Sequence, residues 1–541
     1  MDAPVVSTTA GKVRGAHDGG SYAFRGIPYA APPVGALRFL PPAPMTPWSG
    51  IRDAVSYGHS CPQPPERPDG WSPEPSLSED CLYLNVWTRA LADGVRRPVM
   101  VWFHGGGFSI GSGSWPVYDG AALARRGDVV VVTVNHRLGI YGYLHLGELA
   151  GSEYASSGNA GMLDLVAALE WVRENIAAFG GDPQNVMIFG ESGGGAKVST
   201  LLAMPASAGL FHRAVVQSGP GLRVRDPVQA TESAEQIMTA LGVDARDRAA
   251  LAALPTERLL EAQKKRGRMS FRDFSPVLDG TAVTNHPGAA ISDGSAHDVS
   301  MIVGCNRDEA SLFLAMIPSN DDLQSLDEPG LQQRVGHYGK DAERVIHAYR
   351  DCRPDATPYD LLIAMESDRM LRLPSIELAE RKLSRHKEPV FMYLFCWAAG
   401  PLGSAHGYEI PFVFDNARPP VMPESPERSV LAGRMSQAWI SFARNGDPAH
   451  DALPAWPAYS LAERATMIFD ANDCHVAFDP FAEGRLPGRV PASAPVSPSD
   501  RHREMPSRRM GDISLVSAST AGSPAVGQRD RGSATEEASL P

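Results

Sequence analysis

An α/β fold, with one large and mostly parallel sheet flanked by helices, is what this sequence predicts, and three features predict it. Apolar runs of strand length recur at 98–103, 129–135, 186–189 and 213–217. Helical patterns alternate with them. The clearest spans 162–179, where Leu163, Val166, Leu169, Trp171, Val172 and Ile176 recur at three- and four-residue spacings. Alternation of this kind places helices over the faces of a parallel sheet. The third feature is size. A chain of 541 residues that is 43% hydrophobic can bury one large core, and α/β folds often run long as a single unit.

The run Val186-Met187-Ile188-Phe189 leads straight into Gly190-Glu191-Ser192-Gly193-Gly194-Gly195, and a helix-compatible stretch follows. This is the strand–turn–helix context of a nucleophile elbow. A serine hydroxyl attacks a carbonyl only when a base takes its proton and its approach is clear. A tight turn lifts Ser192 to the tip, and Gly190 and Gly194 have no Cβ to clash with the backbone beside it.

The strand at 98–103 is followed by His104-Gly105-Gly106-Gly107-Phe108. Glycines at such a point let backbone N–H groups converge as an oxyanion hole. The N–H of Gly193, just after the serine, is a third candidate donor.

A base and an acid are then required, in the chain order serine, acid, histidine. After the strand-like Ser300-Met301-Ile302-Val303-Gly304-Cys305 come Asp308 and Glu309, and either carboxylate suits the task of orienting an imidazole. After the apolar run Val390–Trp397 comes His406, in the Gly-flanked loop Gly403-Ser404-Ala405-His406-Gly407. Of the 15 histidines it is the one that lies just past a C-terminal strand.

With these residues in place the chain resembles the type-B carboxylesterases, a branch of the α/β-hydrolases that includes cholinesterases and bacterial para-nitrobenzyl esterases. The resemblance runs from about residue 5 to about 480. It is carried by Phe24-Arg25-Gly26-Ile27-Pro28-Tyr29-Ala30, Ser78-Glu79-Asp80-Cys81-Leu82-Tyr83-Leu84-Asn85-Val86, Asn135-His136-Arg137-Leu138-Gly139, Phe179-Gly180-Gly181-Asp182-Pro183 and Gln217-Ser218-Gly219. It implies an α/β-hydrolase fold and a serine esterase with Ser192 as nucleophile, Glu309 as the acid, His406 as base, and Gly106, Gly107 and Gly193 as oxyanion donors. Gly193 stands where cholinesterases carry alanine. The resemblance also offers Trp71 as a cation-facing residue with Glu191 adding negative potential, and Phe271 and Phe274 as an acyl-side wall. It further implies a disulfide between Cys61 and Cys81, against which a reducing cytoplasm argues.

Composition bounds the rest. A net charge of −12 argues against nucleic acid as a partner, and no apolar run approaches the roughly 20 residues of a membrane span. Met1-Asp2-Ala3-Pro4 lacks the basic and apolar regions of a signal peptide, and the chain has no Asn-x-Ser/Thr sequon. The expectation is a cytoplasmic, bacterial enzyme that takes a small-molecule ester, needs no metal or cofactor, and works as a monomer or small homo-oligomer. An acyltransferase using the same acyl-enzyme and a non-catalytic adhesion protein of the same superfamily are the alternatives. After Phe481 no Phe, Trp or Tyr remains, and Pro, Ser, Ala, Gly and Arg dominate. The reading is therefore an α/β-hydrolase domain over 1–483 and a disordered tail over 484–541.

Overall fold

The apolar runs become strands buried on both faces. The computed structural model describes residues 3–64, 76–266, 273–317, 323–385, 388–398, 400–417, 425–471 and 473–485. The strands, in chain order, are β1 (Val5–Ser7), β2 (Lys12–Arg14), β3 (Ala16–Asp18), β4 (Ser21–Pro28), β5 (Ile51–Asp53), β6 (Tyr83–Thr88) and β7 (Arg97–Phe103). They continue as β8 (Val130–Val134), β9 (Gly181–Glu191), β10 (Arg213–Gln217), β11 (Ser300–Asn306), β12 (Val390–Phe395), β13 (Ala465–Phe469) and β14 (His475–Phe478). Strands β1, β2 and β5 form a small sheet of their own. The other eleven form one sheet in the order β14-β13-β12-β11-β10-β9-β7-β8-β6-β4-β3. Its centre, from β8 through β7 and β9 to β13, is parallel, and antiparallel pairs close both ends.

Alternation along the central strands divides the core into two layers, because successive side chains of a strand point to opposite faces. Val99, Val101 and Phe103 of β7, Val186 and Ile188 of β9, and Met301 and Val303 of β11 enter one cluster. Met100, Trp102, Met187, Phe189 and Ile302 enter the other. Helices cover each layer, which is why these strands read as unbroken apolar runs. The pattern predicts a helix over 162–179. The structure has an α-helix at Ala160–Asn175 that tightens into a 3₁₀ turn at Ile176–Phe179. Strand β9 begins five residues before its apolar run, because Gly181 pairs with Arg97 through backbone alone and leaves no hydrophobic trace. A smaller helical cluster, including Leu331, Ile346, Leu361 and Met365, sits apart from both layers. Among the described residues no helix is long and apolar enough to cross a membrane.

Cys61 and Cys81 are buried free thiols, not a disulfide. Burial, with Cys61 beside it, pushes the Cys81 thiol well above its usual range. The described body also runs slightly past 483. A last turn, Ala482–Arg485, is tied down by the ion pairs Arg353–Glu483 and Arg485–Asp479. Residues 486–541 lie outside the described residues.

Trp102 is fully buried and packs its ring 4.9–5.0 Å from those of Tyr118, Phe189 and Phe414. Replacing it by alanine empties the centre of one layer. The expected cost is about 3–5 kcal/mol, seen as a lower denaturation midpoint at unchanged m-value. A loss under about 1 kcal/mol would contradict the packing described.

Candidate active site

Four chain segments converge at the C-terminal ends of the parallel strands, where open α/β sheets place their sites. They follow β7 (His104–Gly107), β9 (Ser192), β11 (Glu309) and β12 (His406).

Ser192 joins β9 to the helix Gly193–Leu201 with φ 55° and ψ −121°. A non-glycine residue held there stores roughly 1–3 kcal/mol of strain. Its surroundings leave it little choice. The Ser192 N–H donates to the Gln217 carbonyl at 2.8 Å, and its carbonyl accepts from Ala196 N at 3.0 Å. A Cβ at Gly190 would lie 2.6 Å from the carbonyl carbon of Gly194, and one at Gly194 would lie 2.0 Å from the Phe103 oxygen. The two outer glycines of the elbow are therefore required for the strand and helix to meet.

Gly193 is confined in the same way: an added Cβ would lie 2.1 Å from the Gly107 oxygen and 2.4 Å from its Cα. The helix start thus rests directly on the glycine loop. Gly106 and Gly107 adopt φ 80° and 63°, left-handed values that suit glycine. Among the described residues no group accepts the N–H of Gly106 or Gly107.

The adjacent carboxylates at 308 and 309 have different partners. Asp308 accepts from Ser404 N at 2.8 Å and pairs with Arg307, bracing the histidine loop from outside. Glu309 is fully buried. Its Oε1 accepts from Asn306 N at 2.7 Å, and its Oε2 takes His406 Nδ1–H at 2.5 Å. Asn306 also donates to the Ala405 carbonyl at 2.6 Å, tying the end of β11 to the histidine loop. The ring of Phe313 lies 4.6 Å from that of His406.

The other ring nitrogen, His406 Nε2, lies 3.2 Å from Glu191 Oε1. The angle is poor, and that oxygen has no hydrogen-bond partner among the described residues, so the contact is a charge contact. The imidazole is thus held between two carboxylates. Burial opposes its charge, but Glu191 and Glu309 outweigh burial and push His406 up to about 9. Burial raises Glu191 to about 8 against the pull of His406.

Sequence reasoning missed two more buried ionisable groups. Glu409 accepts from Asn306 Nδ2 at 2.7 Å and Gln217 Nε2 at 3.2 Å, and burial raises it to about 7. Lys197 is fully buried on the helix behind Ser192, and burial lowers it to about 7. A single lysine in the small and apolar stretch 193–204 was the available signal. Phe274 is fully buried in the larger core cluster. The structure places it among packed core residues. Trp71 and Phe271 lie outside the described residues. Among the described residues no three His, Cys, Asp or Glu side chains are placed to hold a metal.

A model of the carboxylesterase family matches residues 2–483. The para-nitrobenzyl esterase of Bacillus subtilis is 38% identical over 499 residues, covering 90% of this chain and 98% of that protein. The phenmedipham hydrolase of Pseudarthrobacter oxydans is 36% identical, covering 88% and 97%. Among solved structures, the carboxylesterase EST55 of Geobacillus stearothermophilus superposes with a TM-score of 0.80 at 42% identity, covering 89% of this chain and 99% of its own.

The contact at Gly193 yields a direct test. Gly193→Val, larger than the alanine cholinesterases carry there, should force the glycine loop away from Ser192 and lower kcat by roughly 10²-fold, since misplacement by about 1 Å is enough for that. Ester turnover equal to that of the parent would show that the loop yields freely.

Proposed function

The chain belongs to the carboxylesterase family and is a carboxylic-ester hydrolase, and from that premise we propose that Ser192, His406 and Glu309 perform the reaction. His406 Nε2 takes the proton of Ser192 as Oγ attacks the ester carbonyl, and later gives it to the departing alcohol. Glu309 holds the Nδ1–H tautomer and stabilises the imidazolium. The N–H groups of Gly106, Gly107 and Gly193 receive the oxyanion, a task worth about 10²–10³ in rate per donor. Water then hydrolyses the acyl-enzyme with His406 again as base.

The observation that carries this reading is the 2.5 Å Glu309–His406 hydrogen bond, with the opposite ring nitrogen facing Glu191, the residue beside Ser192. Further support comes from the strained Ser192 backbone and the unclaimed N–H groups of the glycine loop. The substrates are small-molecule esters, and a panel begins with para-nitrobenzyl esters, for which one relative is named. The catalytic domain spans 1–483 and the tail 484–541, a division supported by the family match ending at 483. The enzyme works in a bacterial cytoplasm as a monomer or small homo-oligomer. The bacterial origin of relatives supports that setting.

An organophosphate or sulfonyl fluoride should label Ser192 alone, and Ser192→Ala should lose close to 10⁶-fold, about the loss for a triad acting as a unit. A label on another serine with Ser192 untouched would sink the assignment.

Neutral imidazole is the working base, so kcat/KM should fall on the acid side. Because two carboxylates hold the proton on His406, the midpoint should lie above the reference value of about 6.5 and toward its raised value of about 9. Glu191→Gln removes one of those carboxylates and should move the midpoint to lower pH. A midpoint that stays in place in this variant would remove Glu191 from the account.

A further inference from the structure

Lys197 lies five residues after Ser192, on the same helix, with no exposed surface. Its Nζ donates to the carbonyl oxygens of His104 and Gly107, both at 2.9 Å, and lies 5.4 Å from the centre of the Phe108 ring. The ammonium therefore grips both ends of the glycine loop from the helix side.

The two carbonyls between those ends are also occupied. Gly105 O accepts from His104 Nδ1 at 2.9 Å. Gly106 O accepts from Ser109 N at 3.3 Å and Ile110 N at 3.2 Å. In a planar trans peptide the N–H points opposite to the C=O. Fixing the carbonyls of Gly105 and Gly106 thus aims the N–H groups of Gly106 and Gly107 the other way, and those are the two that lack acceptors. Lys197 holds the peptides on either side of this pair.

Packing alone does not account for an ammonium here. Replacing a buried charge with an apolar side chain of similar volume is often neutral or stabilising, and methionine would fill the space. What methionine cannot do is donate to two carbonyls.

We propose that Lys197 is a positioning residue for the oxyanion hole, whose two hydrogen bonds clamp segment 104–107 onto the first turns of the helix that carries Ser192. This rests on the reading of Ser192, Gly106, Gly107 and Gly193 given above. The clamp holds the loop in register with Gly193, whose missing Cβ allows the contact with Gly107. It acts before the substrate arrives, so its effect belongs to the transition state and not to ester binding.

The test uses the full chain, an ester substrate and an alkyl trifluoromethyl ketone. Ser192 Oγ adds to the ketone carbon, its proton passes to His406, and the resulting hemiketal oxyanion occupies the hole. In Lys197→Met, kcat should fall roughly 10- to 10²-fold while KM stays within about threefold. Ketone affinity should fall by the same factor as kcat/KM, and the melting temperature should not fall. Lys197→Gln keeps an N–H₂ group on a shorter stem and should recover part of the loss. A folded Lys197→Met protein with parental ketone affinity overturns the clamp, whatever its kcat. If the methionine variant does not fold, Lys197→Leu, which also lacks a donor, decides: a ketone affinity weakened by about threefold or more, the worth of roughly one hydrogen bond, supports the clamp, and parental affinity overturns it. If the ketone binds parent and Ser192→Ala equally, the site itself is misassigned and the clamp falls with it. A ketone that needs Ser192 but ignores Lys197 refutes the clamp alone.

Discussion

Backbone packs on backbone where the helix after β9 meets the end of β7, and the site depends on that contact. A Cβ at Gly194 would lie 2.0 Å from the Phe103 oxygen, and one at Gly193 would lie 2.1 Å from the Gly107 oxygen. No side chain separates the two segments. The missing Cβ atoms allow this approach in this chain, and it brings the Gly193 peptide beside the Gly106–Gly107 loop. The strained Ser192 backbone follows from the same contact: the chain must leave β9 and begin a helix within one residue, and the surrounding sheet enforces the turn.

The interior behind this contact carries an unusual load of buried charge. Arg137 and Asp164 form a buried pair at 2.6 Å, and Arg38 joins Glu79 at 2.7 Å. Pairs of this kind contribute little net stability, because desolvation offsets their attraction. Removing one partner is what costs. Each pair ties a loop to the body: Arg38 also donates to the Leu251 carbonyl at 2.8 Å, and Arg137 to the Leu40 carbonyl at 2.7 Å. Around His406 the same economy of partners operates. Glu309, Glu409, Asn306 and Gln217 are joined by hydrogen bonds in a chain that ends at the Trp439 indole, 3.1 Å from Gln217 Oε1.

Three buried carboxyl groups surround the imidazole. Glu309, Glu191 and Glu409 all act on His406, and burial keeps water from screening them. The base is strengthened, and the imidazolium formed during attack is stabilised. The acid forms of Glu191 and Glu409 are favoured by the same burial. Proton release from this group is shared, so its titration belongs to the cluster and not to one residue.

Local pattern was enough to identify the parallel sheet, the elbow at Ser192, the glycine loop at 104–107 and the loop histidine at 406. Each is written within a few neighbouring residues, as an apolar run ending in glycines or a histidine past a strand. The sequence by itself therefore determined the fold class and the types of residue gathered at the strand ends. Local pattern left Asp308 and Glu309 open, the family resemblance implied Glu309, and the tertiary structure puts Glu309 against His406. The two are adjacent, and only the positions of Ser404 and His406, almost a hundred residues on, turn one outward and the other inward. Glu191 facing the imidazole and Lys197 gripping the glycine loop are contacts of the same kind. Such contacts join segments far apart in the chain, and a side chain's partner there is set by how the sheet and helices pack.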